Sequence, residues 1–368
     1  MSHPVPKLLA AAVAAVLAVP SLADEAPLGD ASMAKANSAA AKVVKARMKS
    51  ERPEDLRWLE KAEAADVVVV SGEYDRVQDV FHVLEIPHTV VTPARLAKMT
   101  LNAKQLLIID CPGYLNAAAI EKVRKFVNAG GFLYTTDWAL ANVVQKAFPG
   151  FVAFNGRPTA NDVVEVEVKR TDDKFLNHVQ LAKGNPKWWL ESSSYPIKVL
   201  DKEKVEILIS SREMKQRYGE SPIAVTFHYG DGQVLHIASH FYLQQNQIRN
   251  VAEAKPSKAY VAEDAALGAE VKEELAREKA LDGVRAGDLA SAYAAQQVTS
   301  NMVVERKKDQ GRIDGLYDRQ MATAAPSPTA PASFGAGAKV KIVEKKGEKL
   351  KVRAMDGEEA WISSEQLR

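Results

Sequence analysis

Three stretches of the chain predict an α/β fold, a mostly parallel sheet with flanking helices, joined to a small all-β unit. The first is Asp66–Ser71, DVVVVS, whose consecutive valines suit a strand covered on both faces. The second is Gln105–Ala139. It reads as a strand over Leu106–Asp110, a stop at Pro112-Gly113, a helix N-capped by Asn116, a Gly130-Gly131 turn and a strand over Phe132–Thr136. Strands joined by such a helix run parallel with a right-handed crossover. Their C-terminal ends then form one functional edge, holding Cys111 and Asp137. The third is Lys339–Arg368, which reads as short β segments separated by Gly turns.

The other elements follow in chain order. Lys7 precedes Leu8–Val19, a short apolar run rich in Ala, and Ser21-Leu22-Ala23 offers small residues where a signal peptidase reads. This predicts a secretory signal over residues 1–23. Leu8–Val19 is too short to span a bilayer as an anchor. Residues 24–65 form an arm rich in Ala, Lys and Glu, with helices over Ala39–Met48 and Glu54–Ala62 that are expected to pack weakly. The main domain covers 66–321. Its first strand leads through Gly72-Glu73 to a helix over Asp75–Leu84, with Val77, Val80, Phe81 and Leu84 inward, and to a strand over His88–Val91.

The helix of the central stretch turns Ile120, Val123, Phe126 and Val127 inward, and Trp138–Phe148 is a helix that follows Asp137 directly. Asp162–Val168 alternates as a half-exposed strand does. Lys187–Leu190 carries Trp188-Trp189, and Val205–Ser210 is another apolar strand. Ile223–His228 and Gln233–Ala238 flank the turn Tyr229–Gly232 as a hairpin. Residues 246–287, with KEELAREK at their centre, read as an inserted solvated helix or a mobile excursion. Leu289–Arg306 returns to an amphipathic pattern that should dock on the sheet. Residues 322–337, built from Ala, Pro, Ser, Thr and Gly, read as a linker that leaves the unit at 338–368 free to move.

Composition narrows the function class. The hydrophobic fraction, 46%, is that of an ordinary globular protein, and a net charge of +2 does not by itself point to a nucleic-acid or membrane partner, so neither is expected. No membrane span is expected once the signal is removed, so the mature protein is expected to be periplasmic or secreted. Its single cysteine, Cys111, excludes an internal disulfide.

The run DVVVVSGEYD, the strand LLIIDCPG, the elbow AGGFLYTTDWAL and the late strand GQVLHIASHF, in that order, resemble the class I glutamine-amidotransferase-like superfamily. The resemblance covers Asp66–Lys307 and implies a flavodoxin-like sheet. Members place a nucleophilic Cys at the elbow and a basic His after the late strand. Here the matching positions are Asp137 and His240, so the elbow Cys is missing. Cys111 lies in the other loop, where the family has its Pro-Gly turn near the oxyanion hole. The tail, through DGEEAWISSEQL, resembles a bacterial SH3-like module, with Ala360 where members have Gly before the Trp. Such modules bind peptides or cell-wall material.

The candidate chemistry is weighed residue by residue. Asp137 and His240 meet at one sheet edge if the fold is right, and a carboxylate orients an imidazole or raises its pKa. Amide hydrolysis through Asp needs a mixed anhydride, so both read more simply as remnants holding hydrogen bonds. Cys111 is either a reactive thiol or, more commonly, a buried small apolar residue. His228, His236 and His240 sit on or near adjacent strands without a ligand spacing, so no metal and no cofactor are expected. Glu73 lines the same edge. Trp188 and Trp189 are ligand-stacking candidates whose commoner use is covering the sheet. Trp361 either packs or contacts ligand. The expectation is a secreted or periplasmic non-catalytic binding or scaffolding protein of the cell envelope, its partner an envelope protein or a cell-wall peptide or glycan. The alternative is a hydrolase using the Asp137/His240 edge.

Overall fold

The computed structural model describes residues 30–320, 340–346, 349–355 and 357–363. The expected signal and linker lie outside these described residues. The elements are α1 (Asp30–Glu51), α2 (Pro53–Glu60), β1 (Val67–Val70), α3 (Val77–Leu84), β2 (Thr89–Val91), α4 (Pro93–Lys98), β3 (Leu106–Ile109), α5 (Ala117–Asn128) and β4 (Phe132–Thr136). A π-helical turn (Leu140–Val144) and α6 (Gln145–Ala147) follow, then β5 (Val152–Phe154), β6 (Asp162–Glu165), β7 (Glu167–Val168), β8 (Lys187–Leu190), β9 (Ile197–Val199), β10 (Glu206–Ser210) and α7 (Arg212–Tyr218). The hairpin is β11 (Pro222–Tyr229) and β12 (Gly232–Ile237). Then come α8 (Val251–Ala254), α9 (Ser257–Glu263), α10 (Ala269–Ala276), a 3₁₀ turn (Lys279–Leu281), α11 (Ala286–Gln320), β13 (Val340–Lys346), β14 (Lys349–Ala354) and β15 (Glu359–Ser363).

The main sheet has the order β2-β1-β3-β4-β12-β11-β10-β7. From β2 to β12 every pairing is parallel, and β11, β10 and β7 extend the sheet antiparallel. Strand alternation divides its side chains between two layers. Val67, Val69, Leu106, Ile108, Phe132, Tyr134, Leu235 and Ile237 face the layer of α1, α3 and α11. Val68, Val70, Leu107, Ile109, Leu133 and Val234 face the layer of α4 and α5. Burial on both faces is why β1 and β3 read as unbroken apolar runs. Asn116 caps α5 as its sequence predicts, its Oδ1 accepting from Ala119 N at 2.9 Å.

Several elements depart from the sequence expectation. The arm does not pack weakly: Met33, Ala36, Ala40, Val43, Val44 and Met48 of α1 are buried in the main core, and α1 packs on α11, α10 and α2. Residues 246–287 are not a solvated excursion but short helices, with Val261, Val271, Leu275 and Leu281 in the main core. The strand expected over Asp162–Val168 splits, β6 pairing with β8 and β7 with β10. Trp188 and Trp189 are core residues, 2% and 4% exposed, and offer no face to a ligand. The C-terminal strands form a three-stranded antiparallel sheet. This sheet is not free of the main domain: Lys341 Nζ lies 3.2 Å from Asp231 Oδ2, Arg353 pairs with the same carboxylate, and Ala103 N donates to Met355 O. Among the described residues no helix is long and apolar enough to cross a membrane.

Candidate functional site

The parallel strands β1, β3, β4 and β12 all end on one edge, and the residues that follow them meet there. Gly72 follows β1 because backbone passes where a side chain would stand: a Cβ at Gly72 would lie 1.9 Å from Cys111 O. The loop after Gly72 then hangs on that carbonyl, with Glu73 N and Tyr74 N donating to Cys111 O at 3.0 and 3.2 Å. Cys111 follows β3, its peptide to Pro112 is cis, and its N–H donates to Thr136 Oγ1 at 3.2 Å. Asp137 follows β4 with φ +42°, the left-handed conformation of a sharp strand-to-helix elbow. Its N–H donates to Ile237 O, which ties the elbow to β12.

The side chains converge on Asp137. Its Oδ1 accepts from Tyr195 N at 2.7 Å, and its Oδ2 accepts from Ser194 Oγ at 3.0 Å. Cys111 Sγ lies 3.9 Å from the same Oδ2, and His240 Nε2 lies 3.4 Å from it. On the other side of the imidazole, Glu191 Oε2 is 3.2 Å from Nδ1. The ring sits between two carboxylates, yet neither ring nitrogen makes a hydrogen bond of good geometry. The edge of Trp189 closes on the ring at 5.7 Å between centroids. The cavity touching His240, lined also by Tyr134, Trp188 and Phe241, holds only about 10 Å³.

A second acidic pair lies behind. Asp75 is buried, and its carboxylate accepts from Phe241 N at 3.1 Å and Tyr242 N at 3.4 Å. Asp110 is 1% exposed with both carboxylate oxygens unpartnered. Burial and then the neighbouring Asp75 raise the Asp110 pKa far above the usual carboxylate range. Burial also raises Asp137, against the opposing pull of His240, Tyr195 N–H and Ser194. For His240, burial opposes the charged ring, but the negative charges of Asp75, Asp137 and Glu191 together outweigh it and lift the pKa to about 9. Burial, with Asp137 next, pushes the Cys111 thiol up, the opposite of activation.

Aromatic rings frame the outer side. Trp138 stacks on Tyr195 at 5.4 Å, Tyr195 stacks on Phe154 at 3.9 Å, and Tyr74 meets Trp138 edge-on at 5.4 Å. Trp138 Nε1 donates to Ser193 O at 2.7 Å. Tyr74 is 40% exposed and Tyr114, in the loop after Cys111, is 57% exposed.

The structure thus brings together Cys111, Asp137 and His240, with Glu73 on the neighbouring loop. It leaves His228 and His236 elsewhere: His228 is exposed beside the hairpin turn, and His236 is buried on β12 with Nδ1 2.8 Å from Thr135 Oγ1. Trp361 is on the small sheet, 44% exposed. Sequence reading missed Glu191, Ser194 and Tyr195, which reach the site from far along the chain. Their only signal is the turn-rich ESSSY directly after the Trp188-Trp189 strand.

No protein family and no curated protein matches the chain's sequence. Solved structures match it at low identity. A GMP synthase protein from Thermoplasma acidophilum is 9% identical, with 68% of this chain and 96% of that chain covered at a TM-score of 0.40. A ThuA-like protein from Bacteroides uniformis is 13% identical, with 51% and 84% covered at a TM-score of 0.34. An exo-β-1,4-mannosidase from an Opitutaceae bacterium is 13% identical, with 52% of this chain covered at a TM-score of 0.34, and the chain spans only 33% of that enzyme. Likenesses at this level carry no activity across.

Proposed function

We propose that the chain is a secreted or periplasmic, non-catalytic binding protein of the cell envelope. In this reading an amidotransferase-like domain has lost its elbow nucleophile, and an SH3-like unit accompanies it. The observation that carries it is the state of Asp137. The residue at the elbow is a carboxylate, 2% exposed, with Oδ1 held by Tyr195 N–H and Oδ2 by Ser194 Oγ–H. A nucleophile must face a substrate, and this one faces inward. The small cavity that His240 shares with Tyr134, Trp188 and Phe241 has room for about one water molecule and is not lined by Asp137. What remains accessible is the rim of exposed Tyr74 and Tyr114 with the half-buried Trp138 and Tyr195, and aromatic rings of this kind stack on sugar rings and peptide groups. A cell-wall peptide or glycan is therefore the ligand class.

A second reading, a hydrolase using the Asp137/His240 edge, is favoured by the line Glu191–His240–Asp137, which has the order of an orienting group, a base and a nucleophile. One experiment separates the two. The full chain is titrated with muropeptides and soluble cell-wall glycan by calorimetry, and the same mixtures are assayed for amide, ester and glycoside cleavage. Binding without turnover, weakened more than about tenfold by Trp138→Ala, is expected. Turnover that Asp137→Asn abolishes would replace the binding reading with the hydrolase.

A further inference from the structure

We propose that Cys111, Asp137 and His240 form a binding site for one divalent transition-metal ion of the zinc class, with Glu191 as the group that fixes the histidine. The donor set is Sγ, a carboxylate oxygen and an imidazole nitrogen, the mixture such ions prefer. Sγ is 3.9 Å and Nε2 is 3.4 Å from Asp137 Oδ2, and all three donor atoms lie within 4.8 Å of one another. Tetrahedral zinc with bonds of about 2.0 to 2.3 Å has edges of about 3.3 to 3.6 Å between donors. Two of the three edges are already near that length, so closing on an ion asks for movement of side-chain ends only.

The second observation is the imidazole. Its side chain is 1% exposed, and neither nitrogen has a well-formed hydrogen bond, an unusual state for a buried polar ring. Glu191 Oε2 beside Nδ1 favours the proton there and leaves Nε2 as the ligand atom facing Asp137 and Cys111. A carboxylate behind a metal-binding histidine is the usual supporting arrangement. The third observation is charge. Asp75, Asp137 and Glu191 all act on this ring, and two buried carboxylates with a half-buried third favour a cation in their midst. Three protein donors leave a fourth position open.

Binding makes metal–sulfur, metal–nitrogen and metal–oxygen bonds and breaks the S–H bond of Cys111, while the imidazole binds through the Nε2 lone pair and keeps its proton on Nδ1. The thiol proton passes to the buffer and nothing is oxidised or reduced. The ion deprotonates the thiol as it binds, so a raised thiol pKa makes binding pH-dependent rather than forbidding it. The groups facing the ring that set this dependence are Asp75, Cys111, Asp137 and Glu191.

The test uses the full chain, free of affinity tags and stripped with a chelator, and does not depend on any envelope ligand. Failure here leaves the binding reading standing, and the reverse. Zinc alone is titrated by calorimetry in two buffers of different ionisation enthalpy, and cobalt(II) serves as the spectroscopic probe. One equivalent of zinc, proton release to the buffer and a near-ultraviolet sulfur-to-cobalt charge-transfer band are expected. Cys111→Ser should abolish the band and weaken zinc more than about tenfold. Absence of stoichiometric binding overturns the site. So does cobalt binding to the unmodified chain without the band, a result that holds even if the variant fails to fold. Unchanged zinc affinity in a folded Cys111→Ser protein overturns it as well.

Discussion

At the scale of single residues, two positions set conditions on stability that substitution should reveal. His236 is fully buried on β12, and burial lowers its pKa to about 3. The unfolded chain, with an ordinary histidine pKa of about 6.5, binds the proton more readily than the folded one. Stability is therefore intact above about pH 6.5 and falls as pH drops toward about 3. About 2 kcal/mol should be lost from this group by about pH 5, and His236→Gln should remove that slope. Denaturant titrations of both proteins at neutral and mildly acidic pH measure it, and parallel slopes would locate the acid sensitivity elsewhere. Gly72 is the second position. Its missing side chain lets the loop after β1 and the Cys111 carbonyl touch, so Gly72→Ala must push apart two backbones that are hydrogen-bonded at this edge. A loss of more than about 3 kcal/mol is expected, read as a drop in the unfolding midpoint. A cost under about 1 kcal/mol would mean that the edge yields easily.

Among the secondary-structure elements, the helices carry what the sequence concealed. The parallel strands were legible because burial on both faces leaves an unambiguous apolar run, as in Val67–Val70 and Leu106–Ile109. The elbow was legible as a strand that turns sharply into a helix at Asp137. The helices α3 and α5 and the docking of α11 were legible from their apolar spacing, but the polar side of α11 was not. In α11 the residues Gln296, Gln297, Thr299, Ser300 and Asn301 are all 0% exposed, a polar run with no apolar spacing to mark it as interior. Most of its members bond to one another, to the helix backbone or to distant chain, while the Ser300 hydroxyl has no partner. Asn301 Oδ1 accepts from Arg52 and Gln297, while its Nδ2 donates to Phe175 O at 3.0 Å and Asn177 O at 2.8 Å. Arg47 of α1 likewise donates to Tyr293 Oη at 2.9 Å. No local pattern signals such long-range pairs, which is also why Glu191 and Tyr195 were invisible at the site. Asn301→Ala leaves the Arg52 guanidinium with Asp55 alone and removes the partner of the Gln297 amide and of two backbone carbonyls, so a loss of about 3 kcal/mol is expected. Thermal unfolding in one transition with a lowered midpoint would match. An unchanged midpoint would show that water replaces the network at no cost.

For the whole molecule, the relation of the small sheet to the α/β domain decides how the protein can recognise anything. Trp361 reads in the sequence as one of few large apolar residues available to a core, but the structure leaves it 44% exposed on β15. The core of the sheet is instead Val340, Leu350, Val352 and Ala354. The physical reason is alternation: Trp361 pairs across from Lys351, on the outward face, while Val352 and Ala354 point inward. Trp361→Ala should therefore leave the sheet folded and cost less than about 1 kcal/mol, whereas Val352→Ala should cost about 2 kcal/mol and unfold it. The sheet is attached through Asp231, which faces both Lys341 and Arg353 and is itself 32% exposed. Exposed pairs are weak and screened by salt. Asp231→Lys places three cations together and should detach the sheet without unfolding it, seen as a larger radius of gyration in small-angle scattering with unchanged amide protection in β14. An unchanged radius would mean that the apolar contacts alone hold the sheet. If the exposed Trp361 is the recognition surface, Trp361→Ala abolishes envelope binding in a fully folded protein. Undiminished binding in that variant moves recognition to the rim of Tyr74, Trp138 and Tyr195, three aromatic rings from separate stretches of the chain that only the fold gathers at one edge.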